Sequence, residues 1–557
     1  MRSLLCVSIA GSQQTYASFE CTMFNPEEED HFEEIVQYQK ATRVNSCITA
    51  EAILEIIAPP TGIINAPLLL QENMYVHTNP PHVRPLLSLP TLITYPINSY
   101  SDECFPCMVR INGFFNQTHK MYFTKKSPYL CSYIDFKNAT ILQQLEDLKA
   151  FNLDIASLLP LFYRIKLQER RFGVALGATG SRERWSVTAD VPLYYLEHNF
   201  YLTQKEQDAI ERAPFFNNFD ENFLQSSSLS SSSAGSSAES LHVPLSKNAQ
   251  RELIEEYGKE HLVNDKFGLG DSFVRIFYDV TYTDRYKTLL GLHLDFPTAY
   301  TAKQKFFIGG TFEKDSPQPP FSFENFFNLI VPEECRDIQK AKEIALGLLE
   351  GALDRLSANE VDLSLGNNGH FGFGPAVKFN ALLNNHWSMQ FDGYIEYQIP
   401  SLETRYFLGA KNPTDFQREY QNVALAQTNL QFLSTQFINT LYPIAVQTKV
   451  SPGVQVVGTL QALSEFKHIT TRFGTDFWFQ AQEHVAFPKQ NQYRYIDLQK
   501  DKGVMSDAYQ LKLFAELGYK KEAKNLDWTV LAAGDYTIAH SGIGRDFTLV
   551  IGTRIFF

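Results

Sequence analysis

The sequence predicts an all-β protein: a closed antiparallel up-and-down transmembrane β-barrel of about 12 strands, with helix-containing long loops. Three observations support this fold class. Twelve segments alternate apolar and polar residues, the connections between them alternate between short and long, and many segments run for about ten residues or more. A tilted strand needs about ten residues to cross ~30 Å of hydrocarbon, whereas the strands of soluble proteins average about five or six.

Composition limits the alternatives. The 557 residues are 44% hydrophobic and 20% charged, which excludes a wholly disordered chain. The formal net charge of -13 and the lack of a basic face argue against a nucleic-acid partner, because phosphate binding needs clustered lysine and arginine. No uncharged apolar run approaches the ~18 residues of a membrane-crossing helix.

The N-terminal region has the features of an exported chain. Residues 1–17 read as a possible signal peptide, with Arg2, an apolar stretch over 4–10 and a small-x-small site over 15–17; an ordinary buried segment is the alternative. Residues 18–104 are predicted to form an N-terminal segment of irregular or mixed structure, and residues 105–557 to form the barrel. Cys104 and Cys107 are expected to be disulfide-bonded or free thiols, because no second metal-ligand pair follows at zinc-site spacing.

The predicted strands share one property, an apolar face without any Asp, Glu, Lys or Arg, opposite a face that carries the charges. The last segment is the clearest, since Phe547, Leu549, Ile551, Ile555 and Phe557 alternate with polar residues or glycine. In chain order the segments are 109–115, 172–176, 185–195, 274–282, 290–296, 371–383, 387–397, 454–461, 469–480, 510–519, 526–538 and 547–557.

Connection lengths orient the predicted sheet. Tight turns are expected at residues 180, 284–285, 384–385, 464–467 and 520–525, and the intervening connections are long. Short turns at one rim and long loops at the other are typical of a transmembrane barrel, as are aromatic residues near the strand ends. In hydrocarbon an open sheet edge would leave backbone groups unpaired, so the first strand must pair with the last.

The C-terminal run 547–557, with its alternating hydrophobic residues and final Phe557, resembles the closing strand of Gram-negative outer-membrane β-barrel proteins. This resemblance implies the outer membrane of a Gram-negative-type bacterium as the location and the lipid bilayer as a partner. It also implies that barrel-assembly machinery recognises the C-terminal strand. The residues of this assembly signal are Phe547, Leu549, Ile551, Ile555 and Phe557.

The polar face of the strands defines a candidate lumen wall with more acids than bases. One interpretation is a water-filled path that mildly favours cations; the other is a wall of mutually paired side chains that fills a small barrel and conducts little. The lumen-lining candidates are Asp190, Arg275, Asp279, Asp295, Lys378, Asp392, Glu396, Arg472, Asp476, Lys512, Glu516, Asp527, Asp535 and Arg554.

Helical periodicity is expected in four loop stretches, 139–158, 247–262, 334–356 and 416–441, and the serine-rich run 226–237 is expected to be a mobile loop. No catalytic constellation is recognised. His540 and Ser541 are adjacent, so their side chains would point to opposite faces of a strand, and His293, His370 and His484 are expected to be solvated polar residues. No enzyme activity, cofactor or metal is predicted.

The functional hypothesis is therefore an outer-membrane porin-like channel for passive diffusion of small hydrophilic solutes. Two alternatives stay open. One is a plugged structural or surface-interaction barrel that does not conduct, and the other is a soluble secreted all-β protein.

Overall fold

The computed structural model describes residues 4–10, 16–22, 74–76, 80–92, 107–123, 125–126, 128, 131–133, 166–200, 263–283, 285–299, 365–384, 386–407, 444–487, 498–523 and 526–557. The four stretches predicted to be helical and the serine-rich run 226–237 lie outside these residues.

Twelve antiparallel strands form the wall of a closed barrel. In chain order they are β1 Cys107–Thr118, β2 Leu167–Arg182, β3 Trp185–Phe200, β4 Ser272–Tyr282, β5 Tyr286–Phe296, β6 Gly372–Leu382, β7 Trp387–Gln398, β8 Gln455–Phe466, β9 Ile469–Gln480, β10 Ala508–Ala523, β11 Leu526–Ser541 and β12 Asp546–Phe556. All twelve predicted segments overlap these strands, which confirms the predicted closed antiparallel barrel of 12 strands.

Each strand pairs with its neighbours in sequence, and the seam between β12 and β1 closes the cylinder. In that seam Asp546 lies opposite Thr118 and Phe556 lies opposite Met108. The wall has one composite position: a strand over Val263–Leu269 pairs with the second half of β3, and β4 pairs with its first half. Closure pairs each of the twelve strands on both sides, as a hydrocarbon environment requires; among the described strands, Val263–Leu269 pairs with β3 alone.

The two ends of the barrel differ. At the turn end, β2–β3, β4–β5, β6–β7, β8–β9 and β10–β11 are joined by connections of a few residues, and β1 begins and β12 ends there. At the loop end the connections are long except between β11 and β12, which only residues 542–545 join. The sequence predicts the same arrangement, with short turns at one rim and long loops at the other.

Several strands extend beyond their predicted ends. The first hairpin turns at Glu183 and Arg184 rather than at residue 180, and the β8–β9 turn falls at Lys467 and His468. Glu183 and Lys467 adopt positive φ angles of 55° and 49°, which let a two-residue turn follow the strand twist. The strands of the barrel wall are therefore longer than the segments in which apolar and polar residues alternate.

The outer face is apolar. Its side chains include Leu176, Leu290, Leu292, Phe473, Leu517 and Ile551. Each of these has 41% to 72% of its surface exposed in the isolated chain. Near the turn end, aromatic rings pair on this face: Trp185 with Tyr278, Trp387 with Phe473 and Tyr519 with Trp528. Such a girdle is typical of the membrane interface of an outer-membrane barrel.

Smaller elements lie outside the barrel wall. Leu4–Ala10 pairs with Tyr16–Thr22, and Met74–Val76 pairs with Cys131–Tyr133. At the loop end, Ser401–Phe407, Ile444–Ser451 and His484–Ala486 form a three-stranded sheet. The described residues include two three-residue 3-10 helices, Leu86–Ser88 and Lys500–Lys502. No helix in this part of the chain is both long and apolar enough to span a bilayer.

Candidate functional site: the barrel lumen

Side chains alternate along each strand, so every second residue points into the lumen. The structure places the charged candidates on this inner face. Asp527 differs from the others, because it is partly exposed at the turn-end rim and its carboxylate lies 3.8 Å from the Lys520 ammonium. Arg554 is partly buried near the same end. The other twelve are buried: Asp190, Arg275, Asp279, Asp295, Lys378, Asp392, Glu396, Arg472, Asp476, Lys512, Glu516 and Asp535.

The strongest charge cluster surrounds Lys512 on β10. Its ammonium lies 2.8 Å from Asp535 and 2.6 Å from Asp546. Asp546 also accepts hydrogen bonds from Asn116, Thr537 and Gln510, at 2.9, 2.5 and 2.6 Å respectively. A buried charge is tolerated only when such partners replace its water shell, so this cluster ties β1, β10, β11 and β12 together.

Other ion pairs join strands of the wall. The Glu516 carboxylate lies 2.9 Å from Arg472 on the adjacent strand β9 and accepts a hydrogen bond from Arg554 on β12 at 2.7 Å, and Asp279 pairs with Lys287 at 2.8 Å. These pairs neutralise much of the inner charge locally, because each carboxylate faces a base from an adjacent strand.

The Arg110–Asp190 ion pair spans β1 and β3 across β2, which lies between them. Gly177 makes this possible, since a Cβ atom there would lie 2.2 Å from both Arg110 Nε and Asp190 Oδ1. A side chain at this position would have to displace the pair. Arg110 therefore depends on a glycine in the strand between the two charges.

Two histidines correct the expectation of solvated side chains. His293 is 2% exposed, and its Nε2 lies 3.0 Å from Glu396 while its ring stacks on Tyr394. His370 is also buried and hydrogen-bonds to Glu403. The barrel interior and the loop-end sheet cover these side chains, so their position near strand ends did not expose them. His484 alone of the three is exposed.

The loop-end sheet holds a second charge cluster. Arg405 lies 3.0 Å from both Glu403 and Glu483. Burial alone would raise the pKa of Glu403, but Arg405 and the hydrogen bond from His370 together lower it. Burial raises the pKa of Glu483, and Arg405 opposes that shift only in part. The cluster joins strand Ser401–Phe407 to the connection between β9 and β10.

The lumen also contains a segment from the N-terminal region. Residues 80–92, here called the inner segment, are almost entirely buried, although they belong to no sheet. Near the loop end, His82 hydrogen-bonds to the Ser506 carbonyl. At the other end of the segment, the Asn112 amide donates to the Leu92 carbonyl at 3.3 Å. Because Asn112 lies midway along β1, the inner segment reaches from the loop end to the middle of the barrel.

Arg84 anchors the inner segment to the wall. Its guanidinium lies 2.5 Å from Asp476 and donates to Gln510 at 3.2 Å, while it also holds Ser88 of its own segment at 2.7 and 2.8 Å. Arg84 is 1% exposed and Asp476 is 0% exposed. A buried charge pair of this kind stabilises the docked position, because either charge alone would be left without water or a partner.

The wall in turn binds the backbone and a hydroxyl of the inner segment. Arg171 donates to the Arg84 carbonyl at 2.9 Å, and Arg472 donates to the Pro90 carbonyl at 3.0 Å. Thr91 donates to Asp535 at 2.7 Å. The bases of the wall thereby satisfy carbonyl groups that have no sheet partner.

Leucines of the inner segment fill an apolar patch on the inner face. Leu86, Leu87, Leu89 and Leu92 pack in one cluster with wall residues, all of them nearly inaccessible to water. The wall residues of this cluster are Phe114, Ala175, Tyr194, Leu196, Phe273, Leu531, Ala533 and Val550. Burial of four leucines contributes several kcal/mol, at roughly 1.5–3 kcal/mol for each side chain.

Beside the inner segment, a cavity of about 20 Å³ lies between Ser88 and Pro90 on one side and Tyr394 and Gln461 on the other. That volume is close to the room that one water molecule needs.

Sequence reasoning missed several parts of this site. Glu169, Arg171, Lys287 and Asp546 face the lumen close to strand ends, where the predicted segments had already stopped. The inner segment was assigned to an irregular region. Neighbouring apolar pairs such as Phe114 and Phe115 were the available signal, because one of the two had to face inward.

His540 makes its contacts with residues other than the adjacent Ser541. His540 Nδ1 hydrogen-bonds to the Ile543 carbonyl at 2.7 Å, and its ring lies against Tyr122. In the described part of the chain, no group of three or more His, Cys, Asp and Glu side chains is arranged to hold a metal ion.

A closed cylinder that is apolar outside, polar inside and asymmetric at its two ends defines the class of this protein: it is a transmembrane β-barrel of the outer-membrane type. The soluble alternative would expose the whole apolar outer face to water, far more than soluble monomers do.

Comparison with solved structures finds similarity to other barrels. An outer-membrane channel from Pseudomonas putida F1 matches with a TM-score of 0.37 and 8% identity, over 86% of this chain and 100% of that one. The toluene transporter of Pseudomonas putida matches with a TM-score of 0.31 and 7% identity, over 88% and 96%. The β domain of a Bordetella autotransporter matches with a TM-score of 0.29 and 8% identity, over 81% and 99%.

A similarity of this size concerns no more than the barrel fold. No protein-family model matches the sequence, and a search of the curated proteins finds no match either.

Proposed function

We propose that the protein is an outer-membrane channel through which small hydrophilic solutes diffuse passively, with a mild preference for cations. The observation that supports this proposal is the inner face, where charged and polar side chains follow the wall from the loop end to the turn-end rim. A wall of this kind offers hydrogen-bonding partners to hydrated solutes along the whole path.

The charges of the wall favour cations. On the described strands, inward carboxylates outnumber inward bases. The carboxylates are Glu169, Asp190, Asp279, Asp295, Asp392, Glu396, Asp476, Glu516, Asp535 and Asp546, and the bases are Arg110, Arg171, Arg275, Lys287, Lys378, Arg472, Lys512 and Arg554.

Asp295 is the residue that best tests the cation preference. Among the described residues it has no ion-pair partner, and the nearby charges are Glu396 and Asp271, which are also acidic. In a water-filled channel this carboxylate is solvated and ionises, and no base beside it in the described part of the chain neutralises its charge. We expect Asp295→Asn to reduce the preference for cations without breaking an ion pair.

Reconstitution of the full chain in planar bilayers tests the proposal. We expect discrete conductance steps and, across a potassium chloride gradient, a reversal potential on the cation side that Asp295→Asn moves toward zero. The matched control is Asp527→Asn, since Asp527 lies at the rim beside Lys520 and should change the reversal potential less. An unchanged reversal potential in Asp295→Asn would contradict the assigned role of the wall charges.

The occupied lumen favours a second candidate, a structural or surface-interaction barrel that does not conduct. The inner segment occupies part of the loop-end half of the lumen, and wall charges beside it, such as Asp476 and Lys512, are paired. Silence of the wild-type chain and of variants that release the inner segment would support this second function. In neither function do we expect catalysis or a bound cofactor.

A further inference from the structure

The contacts of the inner segment differ in kind from those that hold the wall together. Neighbouring wall strands share backbone ladders, whereas residues 80–92 take part in no ladder. Each described contact between this segment and the wall involves a side chain. From the segment, Arg84 binds Asp476, Thr91 binds Asp535, and the leucines pack on an apolar patch. From the wall, Arg171 and Arg472 donate to carbonyl groups of the segment. Water can replace each of these polar contacts if the lumen fills, and the wall needs none of them to stay closed.

The composition of the inner segment also suits a removable element. Four of the thirteen residues, Pro80, Pro81, Pro85 and Pro90, have no backbone N–H, so the segment has fewer donors that require a partner inside the barrel. Proline also limits the conformations of the undocked chain, which lowers the entropy lost on docking. A short, stiff and donor-poor segment can therefore occupy the lumen without being built into its wall.

We propose that the inner segment is a movable plug: docked, it closes the channel, and its departure opens the path and exposes Asp476. This inference rests on the proposed channel function and concerns the regulation of the same lumen.

Opening changes the charge of the path as well as its width. Arg84 is the one Lys, Arg, Asp or Glu among residues 80–92, and it forms the ion pair with Asp476. The remaining described hydrogen bond to the Asp476 carboxylate comes from the Thr459 hydroxyl, at 2.9 Å. When the plug leaves, the lumen loses one positive charge and retains a carboxylate without its arginine. The open channel therefore prefers cations more strongly than the closed lumen would suggest.

Substitutions of the ion pair separate this role from simple packing. Arg84→Gln leaves Asp476 buried without its ion-pair partner in the closed state, whereas water solvates Asp476 in the open state. We expect the ratio of open to closed time in planar bilayers to rise by roughly tenfold to a hundredfold, as for the loss of a hydrogen bond to a charged group. Asp476→Asn should also favour opening, because it leaves Arg84 unpaired, but its reversal potential should show no gain in cation preference.

The double variant and a matched control complete the series. Arg84→Gln with Asp476→Asn removes both charges, so the closed state should return toward the wild-type occupancy. Arg170→Gln is the control: Arg170 is on β2, its side chain is 42% exposed, and its ion pair with Glu197 at 3.5 Å lies outside the lumen. This control should leave the open occupancy unchanged.

A second measurement follows the plug itself. Ser88→Cys places a thiol of similar size at a site that is 2% exposed. Reaction of the reconstituted protein with a charged water-soluble thiol reagent, measured at position 88 by peptide mass spectrometry, should be slow. The reaction rate should rise in the Arg84→Gln background by the same factor as the open occupancy.

The possible outcomes separate the plug from the channel. Equal, steady conductance in all variants with unchanged labelling at position 88 would overturn the plug and leave the channel function standing. Faster labelling in Arg84→Gln without conductance in any variant would overturn the channel function, while the segment would still be movable. Neither conductance nor a change in labelling would contradict both.

Discussion

Lys512 gives the sharpest test of how buried charges stabilise this barrel. Its side chain is 0% exposed, and it is the ion-pair partner of both Asp535 and Asp546. Lys512→Met preserves the length and apolar stem of the side chain but leaves two carboxylates without their cation. Removal of one partner from a buried pair typically costs about 3–5 kcal/mol, so we expect the free energy of unfolding to fall by at least about 3 kcal/mol.

Lys520 provides the matched control on the same strand. It also faces two acids, with Glu522 at 3.0 Å and Asp527 at 3.8 Å, but its side chain is 29% exposed at the turn-end rim. Exposed pairs contribute about 0–1 kcal/mol, so Lys520→Met should cost less than about 1 kcal/mol. Guanidinium unfolding in lipid vesicles at neutral pH measures both variants.

A triple variant distinguishes charge from packing. Lys512→Met combined with Asp535→Asn and Asp546→Asn removes the unpaired charges and should recover a large part of the lost stability. Equal costs for Lys512→Met and Lys520→Met, or a triple variant no more stable than Lys512→Met, would refute this account of the cluster.

Three further perturbations test other parts of the molecule. Ile551→Arg places a charge on an outer-face residue that is 72% exposed, and in lipid it should lower the free energy of unfolding by about 2–4 kcal/mol. The control Leu402→Arg, in the loop-end sheet, should change that free energy by less than about 0.5 kcal/mol. Equal effects of the two substitutions would contradict the assigned membrane face. Burial lowers the pKa of His82 to about 4; the Ser506 carbonyl and Asp507 oppose this shift, and Arg405 adds to it. Because the undocked form binds more protons below about pH 6.5, docking of the inner segment should weaken by up to about 3 kcal/mol as the pH falls from 6.5 to 4. Acid should therefore raise the open occupancy of the wild type but not of His82→Gln, and an equal response of both proteins would exclude this histidine. Deletion of Phe557, whose side chain is 62% exposed, should reduce the yield of assembled barrel in cells without changing its unfolding in vesicles; an unchanged yield would remove Phe557 from the proposed assembly signal.

The strands were predictable because lipid imposes a strict requirement on one face. Ile551 and its outer neighbours must be apolar along the whole membrane span, so the alternation persists in the sequence. Near the rims water reaches both faces and the alternation fades. The strand β2 therefore begins at Leu167, before Glu169 and Arg171, although the predicted segment starts only at residue 172.

The inner segment was harder to predict, because its burial depends on a surface assembled from distant strands. Leu89 is apolar, but its partners come from residues such as Phe114, Phe273 and Val550, which share no local pattern with it. Arg84 has the same difficulty, since Asp476 lies 392 positions away. A period-two pattern assigns side chains to faces, but it does not show what covers an apolar patch on a polar face.

The seam between β12 and β1 has a kinetic consequence. Most neighbouring wall strands are also neighbours in sequence, but this pair joins Thr118 to Asp546. Contacts at such long sequence separation form slowly, because the chain must lose loop-closure entropy before the contacts stabilise it. The hairpins should therefore form early, and pairing of β12 with β1 should be the rate-limiting step in the folding of the barrel.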